Sequence, residues 1–145
     1  MEQKKGYNNK LGLIGWLSGG RYGIERYAYT LHRLCGLGLL AYFIMHIFVT
    51  AARLGGESVW EETMSSVEGM FFKIGEFLVF FAFAFHGFNG IRLILIEFGV
   101  FMGKPIMPEY PYKQSTLRQR PVLLIVMVLS AILTIVGGWD FFIAK

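Results

Sequence analysis

The sequence predicts an all-α integral membrane protein of three transmembrane helices with a cytoplasmic N-terminus. Three observations carry that expectation: two long charge-free segments bracketed by charged residues, a shorter third one between them, and an uneven distribution of Lys and Arg among the connections. The 145 residues are 54% hydrophobic, with a mean hydropathy of +0.50. That is too apolar for an ordinary soluble domain and too short for several, so residues 1–145 read as a single membrane domain.

At the start, MEQKKGYNNK has neither the apolar core of a secretory signal peptide nor the Arg/Ser-rich pattern of a transit peptide, and the first span itself is expected to direct insertion. LGLIGWLSGG follows, with Leu11, Leu13, Ile14, Trp16 and Leu17 ahead of Gly19 and Gly20. It is a candidate short interfacial helix anchored by Trp16; a loop packed on a partner subunit is an equal alternative. The first span is expected over about 29–53, because Leu34–Ala52 carries no Asp, Glu, Lys or Arg between Arg33 and Arg53. Such a run covers roughly 28 Å, close to the hydrocarbon thickness of a bilayer. The second is expected over about 67–98, where Phe77–Ile91 is uncharged and Lys73, Glu76, Arg92 and Glu97 fall near the ends. The third is expected over about 121–143, its apolar run Pro121–Trp139 lying between Arg120 and Asp140. The connection GKPIMPEYPYKQSTLRQR holds three of the four prolines and reads as irregular.

Lys and Arg near span ends stay on the cytoplasmic side. Lys4, Lys5, Lys10, Arg21 and Arg26 precede the first span, and Lys104, Lys113, Arg118 and Arg120 precede the third. The first connection, Leu54–Ser66, has no Lys or Arg and contains Glu57, Glu61 and Glu62. The N-terminus and second connection are therefore expected inside, and the C-terminus outside. The net charge of +4 follows from this arrangement and gives no reason to invoke nucleic acid. A single cysteine, Cys35, excludes an internal disulfide and any iron–sulfur cluster held by this chain alone.

Two histidines lie within the apolar runs, His46 in LLAYFIMHIFVT and His86 in FFAFAFHGFNGIR. An imidazole facing hydrocarbon forfeits its hydrogen bonds to water, so each is a functional-site candidate that needs a partner. Ala82 and Gly90 lie one turn either side of His86 and leave a notch on its face. Gly36, Gly38 and Gly87 are further small residues that let helices or flat ligands approach. His46 has bulkier neighbours in Tyr42, Phe43, Val49 and Thr50, and a hydrogen-bonded core histidine competes with a metal ligand there. At the membrane edge, YTLHRLCG groups Tyr29, His32 and Arg33. Arg33 serves either as an inside anchor or as a fixed set of donors for carbonyl or carboxylate oxygens. The spans carry no paired carboxylates or polar stripe of the kind a transporter or channel would need.

The stretch LHRLCG at Leu31–Gly36, followed by HGFNGIRLILIEFG at His86–Gly99, resembles the cytochrome b556 membrane-anchor subunit of succinate dehydrogenase, respiratory complex II. That family combines an HRxSG-type entry to the first helix with an H-x-x-x-G-[IL]-R segment ending the second. The resemblance implies a haem b-binding anchor that attaches flavoprotein and iron–sulfur subunits to a prokaryotic cell membrane, rather than the mitochondrial inner membrane, and contributes to quinone reduction. It also implies a second membrane-anchor subunit, and no succinate chemistry in this chain.

Carried over residue by residue, the resemblance makes His86 the axial ligand of the proximal haem and Gly90 a packing position against the porphyrin. Arg33, His32, Tyr29 and Arg92 fall in the quinone or haem-propionate region. Members with two haems carry another histidine deep in the first helix, which makes His46 the candidate distal ligand, and the other axial ligand of each haem must come from another chain. With Arg33 and Arg92 at equal depth, the two haems would lie about 10 Å apart along the membrane normal. The chain departs from the pattern at Tyr29 and Cys35, where serine is usual, at Glu97, and at Leu93, where a second histidine can stand. A quinol:fumarate reductase anchor and a haem-free structural anchor are the alternatives.

Overall fold

The computed structural model describes residue 12, residues 23–104 and residues 118–144. The candidate interfacial segment and most of the Pro-containing connection lie outside the described residues. Helix α1 runs Ile24–Ala51, beginning several residues ahead of the expected start. Gly23 opens it, accepting from the Arg26 N–H at 3.1 Å, and Glu25 occupies the first turn, where the helix dipole favours negative charge. A 3-10 turn, Ala52–Gly55, closes it. Gly56 then takes φ +94°, a left-handed conformation that glycine adopts without penalty.

Helix α2, Glu57–Ser66, is a short polar helix within the acidic connection. The Arg53 guanidinium lies 4.3 Å from the centroid of its Trp60 ring, tying it back to the end of α1. Helix α3 spans Met70–Glu97 and ends in a Schellman motif: Val100 N–H donates to Leu95 O at 3.0 Å and Gly99 N–H to Ile96 O at 2.8 Å. Gly99 supplies the required positive φ, +77°, which explains why the chain turns at Phe98–Gly99. Helix α4, Arg120–Phe142, has Pro121 in its first turn, where the missing N–H is not needed.

Three of these helices, α1, α3 and α4, are long and apolar enough to cross a membrane. Helix α3 lies between the other two and packs against both. The start of α1, the end of α3 and the start of α4 share one end of the bundle. There an ion pair between Glu25 and Arg120 joins α1 to α4, and Ala28, Cys35, Phe85 and Leu123 form the buried core with Ile24, Leu31, Phe81 and Ala82 around it. Towards the other end, a Cβ at Gly137 would enter the Phe80 ring and one at Gly138 would stand 3.3 Å from Phe77, so small residues bring α4 onto α3.

The far half of α1 has no such partner among the described residues. Residues Phe43–Phe48 are all exposed, and six consecutive helical residues cover every face. That stretch is apolar all round apart from His46, so lipid or another helix must surround it.

Candidate functional site

His86 projects from α3 into the seam with α1. Its ring stacks on His32 with centroids 3.9 Å apart and planes 5° apart, and its Nδ1 lies 3.1 Å from the His32 backbone oxygen. A carbonyl can only accept, so Nδ1 donates the proton in this contact, and a neutral imidazole then presents its lone pair at Nε2.

Gly36 makes the approach possible. A Cβ at Gly36 would stand 2.8 Å from Cε1 and 3.3 Å from Nδ1 of His86, closer than carbon atoms pack. Across the seam, a Cβ at Gly90 would stand 3.7 Å from Cε1 of His32. Each helix therefore contributes a His-x-x-x-Gly pair: His32 and Gly36 on α1, His86 and Gly90 on α3. Residues four apart share a helix face, and because the helices run antiparallel each histidine meets the other helix's glycine. The notch expected around His86 is thus filled from α1.

Tyr29 and Arg33 lie one turn apart on α1, both exposed. Arg33 Nη1 donates to the Tyr29 hydroxyl at 3.1 Å, and the guanidinium lies 5.4 Å from the ring centroid. The tyrosine oxygen accepts here, so its own O–H is free to donate.

Arg92 takes a different direction. It is buried, donating from Nε to Asn89 Oδ1 at 2.9 Å and from Nη1 to Gln119 Oε1, which ties the end of α3 to the start of α4. Asn89 is fully buried, and its Nδ2 has no partner among the described residues, like Nδ1 of His32.

His46 stands apart from all of these. Its ring is exposed, with Tyr42 tilted against it at 5.7 Å, and Thr50 Oγ1 donates to its backbone oxygen at 2.7 Å. The seam sets His86 level with Gly36, which puts His46 roughly 15 Å further along α1. That exceeds the spacing expected from equal depths of Arg33 and Arg92, because Gly90 pairs with His32 and Arg92 therefore lies beyond Arg33 towards the helix ends.

The model of a family described as succinate dehydrogenase/fumarate reductase transmembrane subunit matches residues 16–137. The chain belongs to this family. A relative from Halobacterium salinarum, named succinate dehydrogenase hydrophobic membrane anchor subunit, is 32% identical over 75 residues, covering 51% of this chain and 58% of the relative. The chain thus aligns with little more than half of that relative's length. Within this transmembrane subunit, both His-x-x-x-Gly pairs fall inside the residues that the family model matches.

Three participants escaped sequence reasoning. Gly36 read only as a small residue that lets helices or flat ligands approach, although its spacing of four from His32 was the available signal. Asn89 was a polar residue within an apolar span, itself a reason for attention. Nothing in the sequence marks Gln119 as the partner of Arg92.

Proposed function

We propose that this transmembrane subunit is the haem b-binding anchor of a succinate:quinone oxidoreductase. The observation that carries the reading is the His86 contact, with Nδ1 bonded to a backbone carbonyl, the ring seated on Gly36, and Nε2 making no hydrogen bond among the described residues. A fixed ring, a fixed tautomer and an open lone pair are what an axial imidazole requires, so these residues fit the group. His32 lies face to face with the His86 ring rather than opposite Nε2, so a haem there would be held by His86 of this chain together with a residue assigned to a second membrane-anchor subunit. Among the described residues no three His, Cys, Asp or Glu side chains converge on a metal-sized site. A bound b haem supplies one-electron storage beside the quinone.

The chain's own residues do the positioning. Arg33 and the Tyr29 hydroxyl, paired on the exposed face of α1, offer donors to quinone carbonyl oxygens, with His32 behind them in the seam. Gly90 is assigned to packing against the porphyrin. His46, an imidazole on an otherwise apolar and uncovered helix, is assigned to a distal haem. The Arg-rich end of the bundle, at the start of α1 and α4, is assigned to the cytoplasmic face of a prokaryotic cell membrane, where the iron–sulfur and flavoprotein subunits would dock. The same anchor would serve a quinol:fumarate reductase, since nothing in it sets direction. A haem-free anchor would use the same Nδ1 contact, so the two readings part at Nε2.

The test is a reduced-minus-oxidised spectrum with pyridine haemochrome quantitation on the purified complex. His86→Leu should remove one b haem per complex while the subunits still copurify. A wild-type complex without haem, or a variant with full haem content, refutes the assignment.

A further inference from the structure

Arg92 carries a charge that the contacts assigned above do not use. Its side chain is only 4% exposed, and both of its hydrogen bonds run to uncharged amides, Asn89 and Gln119. Among the described residues Glu25 pairs with Arg120 and interacts with Arg92 only at longer range, without an ion-pair contact. A guanidinium stays protonated in such a place, and burial weakens the screening of its field. Six residues, roughly 9 Å of helix axis, separate it from His86.

We propose that Arg92 is a fixed internal positive charge that raises the reduction potential of the haem held by His86, acting through its field rather than by touching a propionate or quinone. The proposal rests on the haem reading above. Reduction lowers the positive charge of the iron centre by one, so a nearby cation disfavours the oxidised form more than the reduced one. At an effective dielectric near 20, unit charges roughly 12 Å apart shift a one-electron equilibrium about tenfold.

Potentiometric titration of the purified complex tests this with three variants. Arg92→Gln removes the charge. Gln119→Glu keeps the hydrogen-bond acceptor in place and puts a carboxylate on the guanidinium. Gln119→Met removes a hydrogen bond and leaves the charge. The first two should lower the midpoint, towards the about 59 mV that corresponds to a tenfold change in a one-electron couple, while Gln119→Met leaves it near the wild-type value. A purely structural clamp predicts the opposite order, with Gln119→Glu silent and Gln119→Met disruptive, and that result overturns the proposal. If Arg92→Gln does not assemble, the near-isosteric Gln119→Glu decides. Pyridine haemochrome on the wild-type complex separates the two failures: no haem refutes the haem reading, whereas haem with an unmoved potential refutes the charge proposal alone.

Discussion

Replacing Gly36 with alanine probes the seam at its tightest point. The added methyl would stand 2.8 Å from Cε1 and 3.3 Å from Nδ1 of His86, where carbon atoms in contact prefer about 3.5–4.0 Å. The imidazole must withdraw by about an ångström, and it is also held by the stack on His32 and by the Nδ1 bond to the His32 carbonyl. Overpacking of this kind costs about 1–3 kcal/mol. At tenfold per 1.4 kcal/mol, haem affinity would fall roughly 5- to 150-fold when the whole penalty falls on the ligated geometry. Gly38→Ala is the matched control, since a Cβ there meets nothing within 4 Å. The assay is haem per complex and the reduced b-haem band after purification, with copurification of the other subunits as the measure of assembly. Full haem content and an unshifted band in Gly36→Ala would show that His86 is not placed by this contact.

His46→Leu should remove one of two b haems and leave the His86 haem spectrum intact; a wild-type complex with a single haem refutes the distal assignment. Tyr29→Phe removes the hydroxyl that accepts from Arg33, and quinone KM should rise roughly two- to tenfold, the worth of one net hydrogen bond, with haem content unchanged. An unaltered KM separates Tyr29 from the quinone.

The three spans were legible because a bilayer demands long runs without charge, and Leu34–Ala52 and Pro121–Trp139 satisfy that demand openly. The start of α1 was harder to read. Glu25 and Arg26 lie outside the charge-free run, yet the helix continues through them because a helix does not stop at the hydrocarbon boundary. Helix α2 escaped notice because ESVWEETMSS has no apolar stripe to announce a helix; Gly56 and the Arg53–Trp60 contact place it. His86 was found by its type and its apolar surroundings. What it faces was not, because the pairing of Gly36 with His86 joins residues fifty positions apart, and only the register of two antiparallel helices decides it. Arg92 shows the same limit from the other side, since its sequence neighbours do not reveal that its guanidinium turns towards α4.

The register also explains why two short motifs far apart in the chain belong together. His32-x-x-x-Gly36 and His86-x-x-x-Gly90 are one interlocked contact, in which each glycine faces the imidazole of the opposite helix and Gly36 is too close to its imidazole to carry a Cβ. Sliding either helix by one residue would turn a glycine off the shared face by about 100° and bring a side chain against a ring. His86 is accordingly oriented by its own chain before any partner arrives. His46 is not: Phe43–Phe48 are uncovered on every side, and no side chain among the described residues hydrogen-bonds its ring. The two histidines therefore depend on different things, His86 on the register between α1 and α3, and His46 on whatever comes to lie against the far half of α1.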